Sequence, residues 1–598
     1  MKKFALYLLV ALSAASLSVS CTDEYLKVDY YSIVNPDGVY EDANNVFMGL
    51  TAVYSILYHP NNFYIKPHPA LANMATLDLQ ADGWDAEMSQ HAWGVESKSN
   101  FFENAWTYSY RMVSRANLYL ADLENVRDEV VPEATRRIYE SEVRCLRAAA
   151  YYYLTINFSR VPMLMTGETY ANTPEKARPD TDEEAWKTIK EDFEYAAKYL
   201  DWWPADGMVG RFTKAGALAY AAKANMYIGD YATAKAQLKD IIDHSGRSLN
   251  PVQGMISWLD NPQSYETIWE VSFPQFPAMD GSGIRPYRNP DRNDYRYFSQ
   301  QTKAAEYGGW GDAPMSYELV RSFEPGDKRL LYNIVGWHAE YDEATGKMVC
   351  YGDTNPYTGD KIGKTSNYQK FFQDREGIPN NHSLKWWKTN DYYSAHSVQL
   401  YRYSEVVLNY AECCFRTGDE AEGWKQINEI RNRAWGNLEV GYNPNDHTNS
   451  VHTFPVELLN TEIVEVPDAK TYYTQYKAEK GYRSDVWVVA LTQERRKEFM
   501  YEFSLYYDLS RMNIIEEWLD CEYPKNGGAT FYNTKTGKYY KPSGTDFNEP
   551  WDNAPDEEKR YMIPVTRRDW DWNPIHLVYP IPTSELTANP LCTQNEGY

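Results

Sequence analysis

Hydrophobic positions recur along most of the chain with a helical period. In the stretch Tyr401 to Ala434, apolar residues fall at Tyr403, Val406, Val407, Tyr410 and Cys414, which is one stripe of a helix. Gly418-Asp419 breaks the run, and a second stripe follows at Ala421, Trp424, Ile427, Ile430 and Ala434. The pair predicts a helical hairpin whose small residues beside a bulky aromatic let two helices pack closely. Taken alone it is scaffold, because a helix with one apolar face is ordinarily a packed helix.

The same period predicts helices at Asp42 to Leu57, Trp106 to Leu120 and Ser141 to Phe158. Between Thr181 and Leu200, Thr181 and Glu184 form a capping-box pattern, and Trp186, Ile189, Phe193, Ala196 and Leu200 make one face. Lys214 to Ile242 reads as a tetratricopeptide-like hairpin with its turn at Gly229-Asp230. That turn resembles Gly418-Asp419, yet the two hairpins lie far apart and are not a tandem array. From about 245 to 395 the pattern dissolves into Gly, Pro, Asn and Asp clusters with weak strands such as Thr267 to Phe273. A structureless insertion of that length is unusual unless functional. Its candidate contact points are Tyr295 to Phe298, Trp310 between glycines, Trp337-His338 and Trp386-Trp387, with at least two expected to face solvent.

Composition sharpens this outline. The 598 residues are 43% hydrophobic, ample for a large core, but the net charge of −24 repels a nucleic-acid backbone. The 52 Tyr and 19 Trp exceed what a core of this size requires, so some are expected on the surface. Between Leu77 and Phe102, Trp84 and Trp93 stand among Asp82, Asp85, Glu87 and Gln90 with no regular period. Indoles there suit carbohydrate, whose ring packs on the aromatic face while acids and amides take the hydroxyls; the alternative is a plug beneath a loop.

The first twenty residues carry Lys2, Lys3, an apolar run from Phe4 to Leu12 and a small-residue tail, the form of a secretory signal too short to span a bilayer. Cleavage is expected before Cys21, where a cysteine suits lipid attachment and the following Thr22-Asp23-Glu24 a flexible stalk. Leu17 lies one place further from Cys21 than the usual lipobox leucine. The remaining cysteines show no CxxC spacing, and Cys145, Cys413 and Cys414 lie in helical patterns that favour buried free thiols.

No HExxH, GxSxG or phosphate loop is present, and Asp353 to Gly359 begins like a calcium loop but lacks its third acidic position and a correctly placed glycine. No cofactor is expected, and structural calcium is not signalled. Paired carboxylates for glycoside hydrolysis remain open, since their spacing exists only in the fold.

Separated motifs then point to one family. They are Cys21, Val143 to Leu164 (VRCLRAAAYYYLTINFSRVPML), Phe323 to Arg329 (FEPGDKR), the opening YRYSEVVLNYAE of the hairpin, IRNRA at Ile430 to Ala434, the Glu494 to Arg511 stretch, and Pro574 to Tyr598. Together they resemble the SusD/RagB outer-membrane nutrient-binding lipoproteins, in order along nearly the whole chain. The Glu494 to Arg511 stretch reads as a helix with Phe499, Phe503 and Tyr506 buried, and its charges available to neighbouring helices. Val578 to Pro582 is expected to be extended by its prolines, with the tail beyond it lying along the surface.

The resemblance implies a mainly α, SusD-like fold: a signal peptide at 1–20, a lipidated tether at 21–40, and a single domain at 41–598. Within it, helical hairpins at about 41–244 and 396–520 form a scaffold, with a loop-rich insertion at 245–395 with little β and an extended C-terminal segment at 521–598. It also implies a non-catalytic protein, tethered through Cys21 to the outer membrane and facing the exterior. Such a protein captures oligosaccharide for a SusC-like TonB-dependent transporter, against which its helical half packs. By chemistry and region, Trp84, Asp85, Trp93, Tyr297 and Trp310 are the candidate ligand contacts. A surface glycoside hydrolase and a peptide-binding member of the same family are the alternatives.

Overall fold

The computed structural model describes residues 40–58, 74–79, 100–204, 208–250, 266–272, 315–324, 327–329, 334–335, 338–342, 347–351, 382–383, 398–436, 465–502, 504–544, 549–559, 561–566, 570 and 572–598.

Helix α1 (Ala43–Tyr54) begins where the Asp42 carboxylate accepts from the amides of Asn44 and Asn45, and it buries Val46, Leu50 and Val53. Helix α2 (Asn100–Leu123) leads to α3 (Glu133–Phe158), which starts eight residues before the apolar run that predicts it. Its first turns are held by charge rather than by a hydrophobic stripe: Arg137 pairs with Glu133 and Glu140, and Arg144 with Glu140.

Helix α4 (Glu183–Tyr199) does not use the expected capping box. Asp182 takes the N-cap position, and Thr181 Oγ1 accepts only from the Glu183 amide at 3.3 Å. The Asp182 carboxylate turns away to the Ser159 hydroxyl at 2.8 Å and to the Arg160 amide, bracing two residues with positive φ (53° and 46°) where α3 ends. A long-range demand outweighs the local motif.

Helices α5 (Lys214–Tyr227) and α6 (Tyr231–His244) turn at Gly229, φ +80°, and α8 (Tyr403–Arg416) and α9 (Glu420–Ala434) turn at Gly418, φ +83°. Between the pairs come strand β1 (Thr267–Val271), the one-turn α7 (Tyr317–Arg321), β2 (Ile334–Val335), β3 (His338–Asp342), β4 (Lys347–Tyr351), β5 (His382–Ser383) and β6 (Val398–Arg402). The two helix turns match bond for bond. The Asp230 amide donates to Asn225 O and the Asp419 amide to Cys414 O, each at 2.8 Å.

Although separated in sequence, the hairpins are spatial neighbours. Helix α3 packs on α4, α4 on α5, α5 on α6, α6 on α8 and α8 on α9. Lys235 of α6 meets Asp419 at the opposite turn at 2.9 Å. Strands β1 and β6 close the gap antiparallel, pairing Val271 with Val398, and the Tyr403 amide donates to Glu266 O at 2.7 Å. The other strands form the two-stranded β2-β5 and β3-β4 sheets, consistent with a mainly α fold.

Helices α10 (Ala469–Lys480), α11 (Val486–Glu498), α12 (Leu505–Arg511) and α13 (Ile515–Glu522) complete the stack. The Glu494 to Arg511 stretch is therefore two helices, broken at Tyr501, φ +60°. The break frees Glu502 to accept from Arg402 Nε and Nη2 at 2.7 and 3.0 Å. Phe499 and Tyr506 are buried as the period predicts; Phe503 lies outside the described residues.

The chain beyond 521 is not extended throughout, although much of 583–598 lies at the surface as expected. It carries the β8-β7-β9 sheet, from β7 (Phe531–Asn533), β8 (Lys538–Tyr540) and β9 (Met562–Pro564), with short helices α14 (Glu549–Asp552), α15 (Asp556–Lys559) and α16 (Thr583–Ala588). Tyr579 and Ile581 are buried. The last carbonyls of α3, which have no partner within their helix, draw this segment inward: Asn157 O accepts from the Tyr579 amide at 2.7 Å, and Phe158 O from Asn595 Nδ2 at 2.8 Å. One hydrophobic core runs from Val46 to Cys592, and Cys145, Cys413 and Cys414 are free and buried within it, as expected.

Candidate functional site

Helix α11 is buried on every side over Gln493 to Glu498, an unusual place for five consecutive charges. Each charge finds a different partner. Glu494 accepts from Arg431 at 2.8 Å and from the Tyr473 hydroxyl at 2.6 Å, and lies 2.9 Å from Arg329. Arg495 donates to Asp508 at 2.9 Å, Lys497 to Glu324 at 3.2 Å, and Glu498 takes Arg402 and Arg433. Burial works against ionisation of Glu494, yet Arg329, Arg431 and Lys497 hold it well below the usual carboxylate range.

Arg496, the remaining charge, reaches the segment from which the first predicted site departs. Its Nε donates to Asp78 Oδ1 at 2.8 Å and its Nη2 to the Tyr523 hydroxyl at 2.7 Å. That hydroxyl donates to Asp78 at 2.5 Å and meets the Ser316 hydroxyl at 2.7 Å. The Ser316 amide donates to Asp78 O at 2.8 Å, and Leu79 pairs antiparallel with Met315.

Leu79 is the last described residue before 80–99, and Met315 the first after 273–314. Trp84, Asp85, Trp93, Tyr297 and Trp310 lie in those two segments, outside the described residues, as do Cys21, the Asp353 to Gly359 run, Tyr295, Arg296, Phe298, Trp337, Trp386 and Trp387. What the structure fixes is that the two segments share a root. Sequence periodicity could not reveal this, because the root depends on a bridge between residues more than 200 positions apart.

A separate small cleft is lined by Tyr152, Tyr153, Lys223, Tyr401, Glu405 and Asp508 among others. Its groups suit packing rather than reaction. Lys223 pairs with Glu405 at 2.5 Å, and although burial disfavours its charge, Glu405 and Asp508 raise its pKa, so it stays an ammonium and not a nucleophile. Burial pushes the Tyr153 phenol up to about 12, keeping it protonated near neutrality.

Among the described residues, one tryptophan faces water. Trp202 and Trp203 follow α4, just past the Leu200 at which the predicted helical face ends. Trp203 is 43% exposed, whereas Arg247, 5% exposed, lies 3.6 Å beneath its ring. Burial pushes the Arg247 guanidinium down to about 10, and Glu270 opposes that fall. The Lys214 ammonium sits 4.4 Å from the Trp202 ring, and His244 Nδ1 lies 2.7 Å from Asp240. Adjacent tryptophans before a Pro-Ala-Asp-Gly run were the available signal.

Comparison with known proteins bears on all of this. The model of the SusD family matches residues 265–598, and a second family model, described as starch-binding associating with outer membrane, matches residues 41–226. The SusD-like protein P25 of Formosa agariphila is 21% identical over 622 residues, covering 97% of each chain. A SusD-like carbohydrate binding protein from Bacteroides fragilis superposes with a TM-score of 0.64 at 20% identity, covering 93% of this chain and 99% of that one. Surface glycan-binding protein A from Bacteroides fluxus gives 0.61 at 17% identity, with the same coverages.

Proposed function

Because the chain belongs to the SusD family, with that family's model matching residues 265–598, we propose that it is a non-catalytic glycan-binding lipoprotein of the outer membrane. It is tethered through Cys21, faces the exterior, and delivers oligosaccharide to a SusC-like TonB-dependent transporter. Family membership carries this reading. The second matching model, described as starch-binding associating with outer membrane, and relatives named as carbohydrate and glycan binders support it.

Glycan is held by Trp84, Asp85, Trp93, Tyr297 and Trp310. The shared root at Leu79 and Met315 supports their acting together. Trp84 stands five positions after Leu79, and Trp310 five positions before Met315. The helical stack forms the face toward the transporter.

Incubating the purified protein with a panel of glycans and peptides, scoring both retention and cleavage, tests the proposal. Retention of a glycan without cleavage, lost on Trp84→Ala or Trp310→Ala, is the expected result. Release of reducing sugar at enzymatic rates would instead make it a hydrolase, and exclusive retention of peptides would change the cargo. A Cys21→Ala protein that still fractionates with membranes would remove the lipid anchor from the picture.

A further inference from the structure

Trp203 is the only exposed tryptophan among the described residues. We infer that Trp202, Trp203 and the C-terminal end of α6 form a second glycan-contact surface, which takes a neutral pyranose ring against the outer face of the Trp203 indole. The inference rests on the glycan-binding reading above and extends it to residues outside the paired segments.

The indole is fixed from below. The Arg247 guanidinium covers its inner face at 3.6 Å. The backbone at Gly246, φ +67°, runs so close that a Cβ there would lie 3.7 and 3.8 Å from two ring atoms. With the inner face covered, the exposed area belongs to the outer face and edge. An aromatic plate already held in place loses little freedom when a ligand settles on it. The loop is also secured at both ends: the Lys214 amide donates to Asp201 O at 2.8 Å, and Gly210 abuts Ser272.

Around the aromatic pair stand groups able to meet sugar hydroxyls. Asp240 pairs with His244 at 2.7 Å and lies 3.6 Å from the Lys214 ammonium. Acids and cations alternate here, so the rim offers both acceptors and donors without a strong field of one sign, which suits a neutral sugar better than a uronate. Aromatic face and polar rim together are the chemistry of saccharide recognition. Ser272 is also the last described residue before 273–314, so the surface borders the departure of a segment already proposed to contact glycan. A polysaccharide engaging both places gains from effective concentration, as a short oligosaccharide cannot.

Electrophoresis of the full-length protein in detergent through gels containing soluble starch, β-1,3-glucan, galactomannan or alginate tests the inference. In the neutral polysaccharide that retards the wild type, Trp203→Ala is expected to weaken retention by about 3- to 10-fold. Trp203→Phe, which keeps a ring over Arg247, should restore at least part of it, and Trp203→Ala should still unfold in one cooperative transition. Wild-type retention by Trp203→Ala overturns the inference and leaves the glycan-binding reading intact. So does a loss confined to alginate, or a self-association of the wild type that Trp203→Ala abolishes. A wild type retarded by none of the four removes the reading and the inference together.

Discussion

Tyr523 joins three distant parts of the chain through one hydroxyl, touching Asp78, Ser316 and Arg496. Tyr523→Phe keeps the ring and deletes those bonds, leaving a buried carboxylate and guanidinium short of one partner each. A loss of about 1–3 kcal/mol in chemical denaturation is expected. Glu494 carries a different signature. Its folded pKa lies below its unfolded one, so its stabilisation is complete above the ordinary carboxylate range near pH 4.3 and is lost as pH falls toward the folded pKa. Glu494→Gln should therefore cost about 3–5 kcal/mol at pH 7 and visibly less at pH 3, measured as paired denaturant midpoints. The charges of this stretch were legible in the sequence as residues that could reach neighbouring helices. Their partners were not, because Asp78, Glu324 and Arg431 are brought in by tertiary folding alone.

Helix identity was the most readable feature, and helix limits the least. The stripe through Ile427, Ile430 and Ala434 marks the buried face of α9, whereas α8 is buried all round from Tyr403 to Phe415, so its stripe through Val406 and Tyr410 identifies the helix without marking a single buried face. The break at Tyr501 and the early start of α3 escape that period, being set by Glu502 reaching Arg402 and by surface ion pairs. Packing inside the hairpin explains another choice. A Cβ on Gly423 would lie 2.7 Å from the Phe415 ring, which is stacked on Trp487 at 5.1 Å. Alanine is the better helix former by about 1 kcal/mol. Gly423→Ala is nevertheless expected to destabilise the protein by about 1–3 kcal/mol in thermal or denaturant unfolding, since overpacking outweighs propensity. At Gly418 open space surrounds the missing Cβ, so Gly418→Ala should cost only the strain of a positive φ, about 1 kcal/mol.

The assembled chain is strongly acidic, at −24, while its proposed ligands are neutral. Glycan retention should then change little between about 0.05 and 0.5 M salt, a range over which an ion-driven complex would weaken steeply. The mainly α architecture was readable from period and motif together. The candidate ligand contacts were readable only as residue types, and the exposed Trp203 was passed over, because exposure is a property of neighbours and not of sequence. The pairing of β1 with β6 has a further consequence. Val271 and Val398 are partners, so the excursion between them begins and ends at one point of the helical stack, which it meets again through Ser316, Glu324 and Arg329. The entropy of closing a loop rises only logarithmically with length, and doubling that excursion would cost about 0.6 kcal/mol. Descendants of this sequence can therefore lengthen or exchange much of the chain between those two valines with little penalty to the stack, so long as Ser316, Glu324 and Arg329 keep their partners there, which frees specificity to diverge while the hairpins stay as they are.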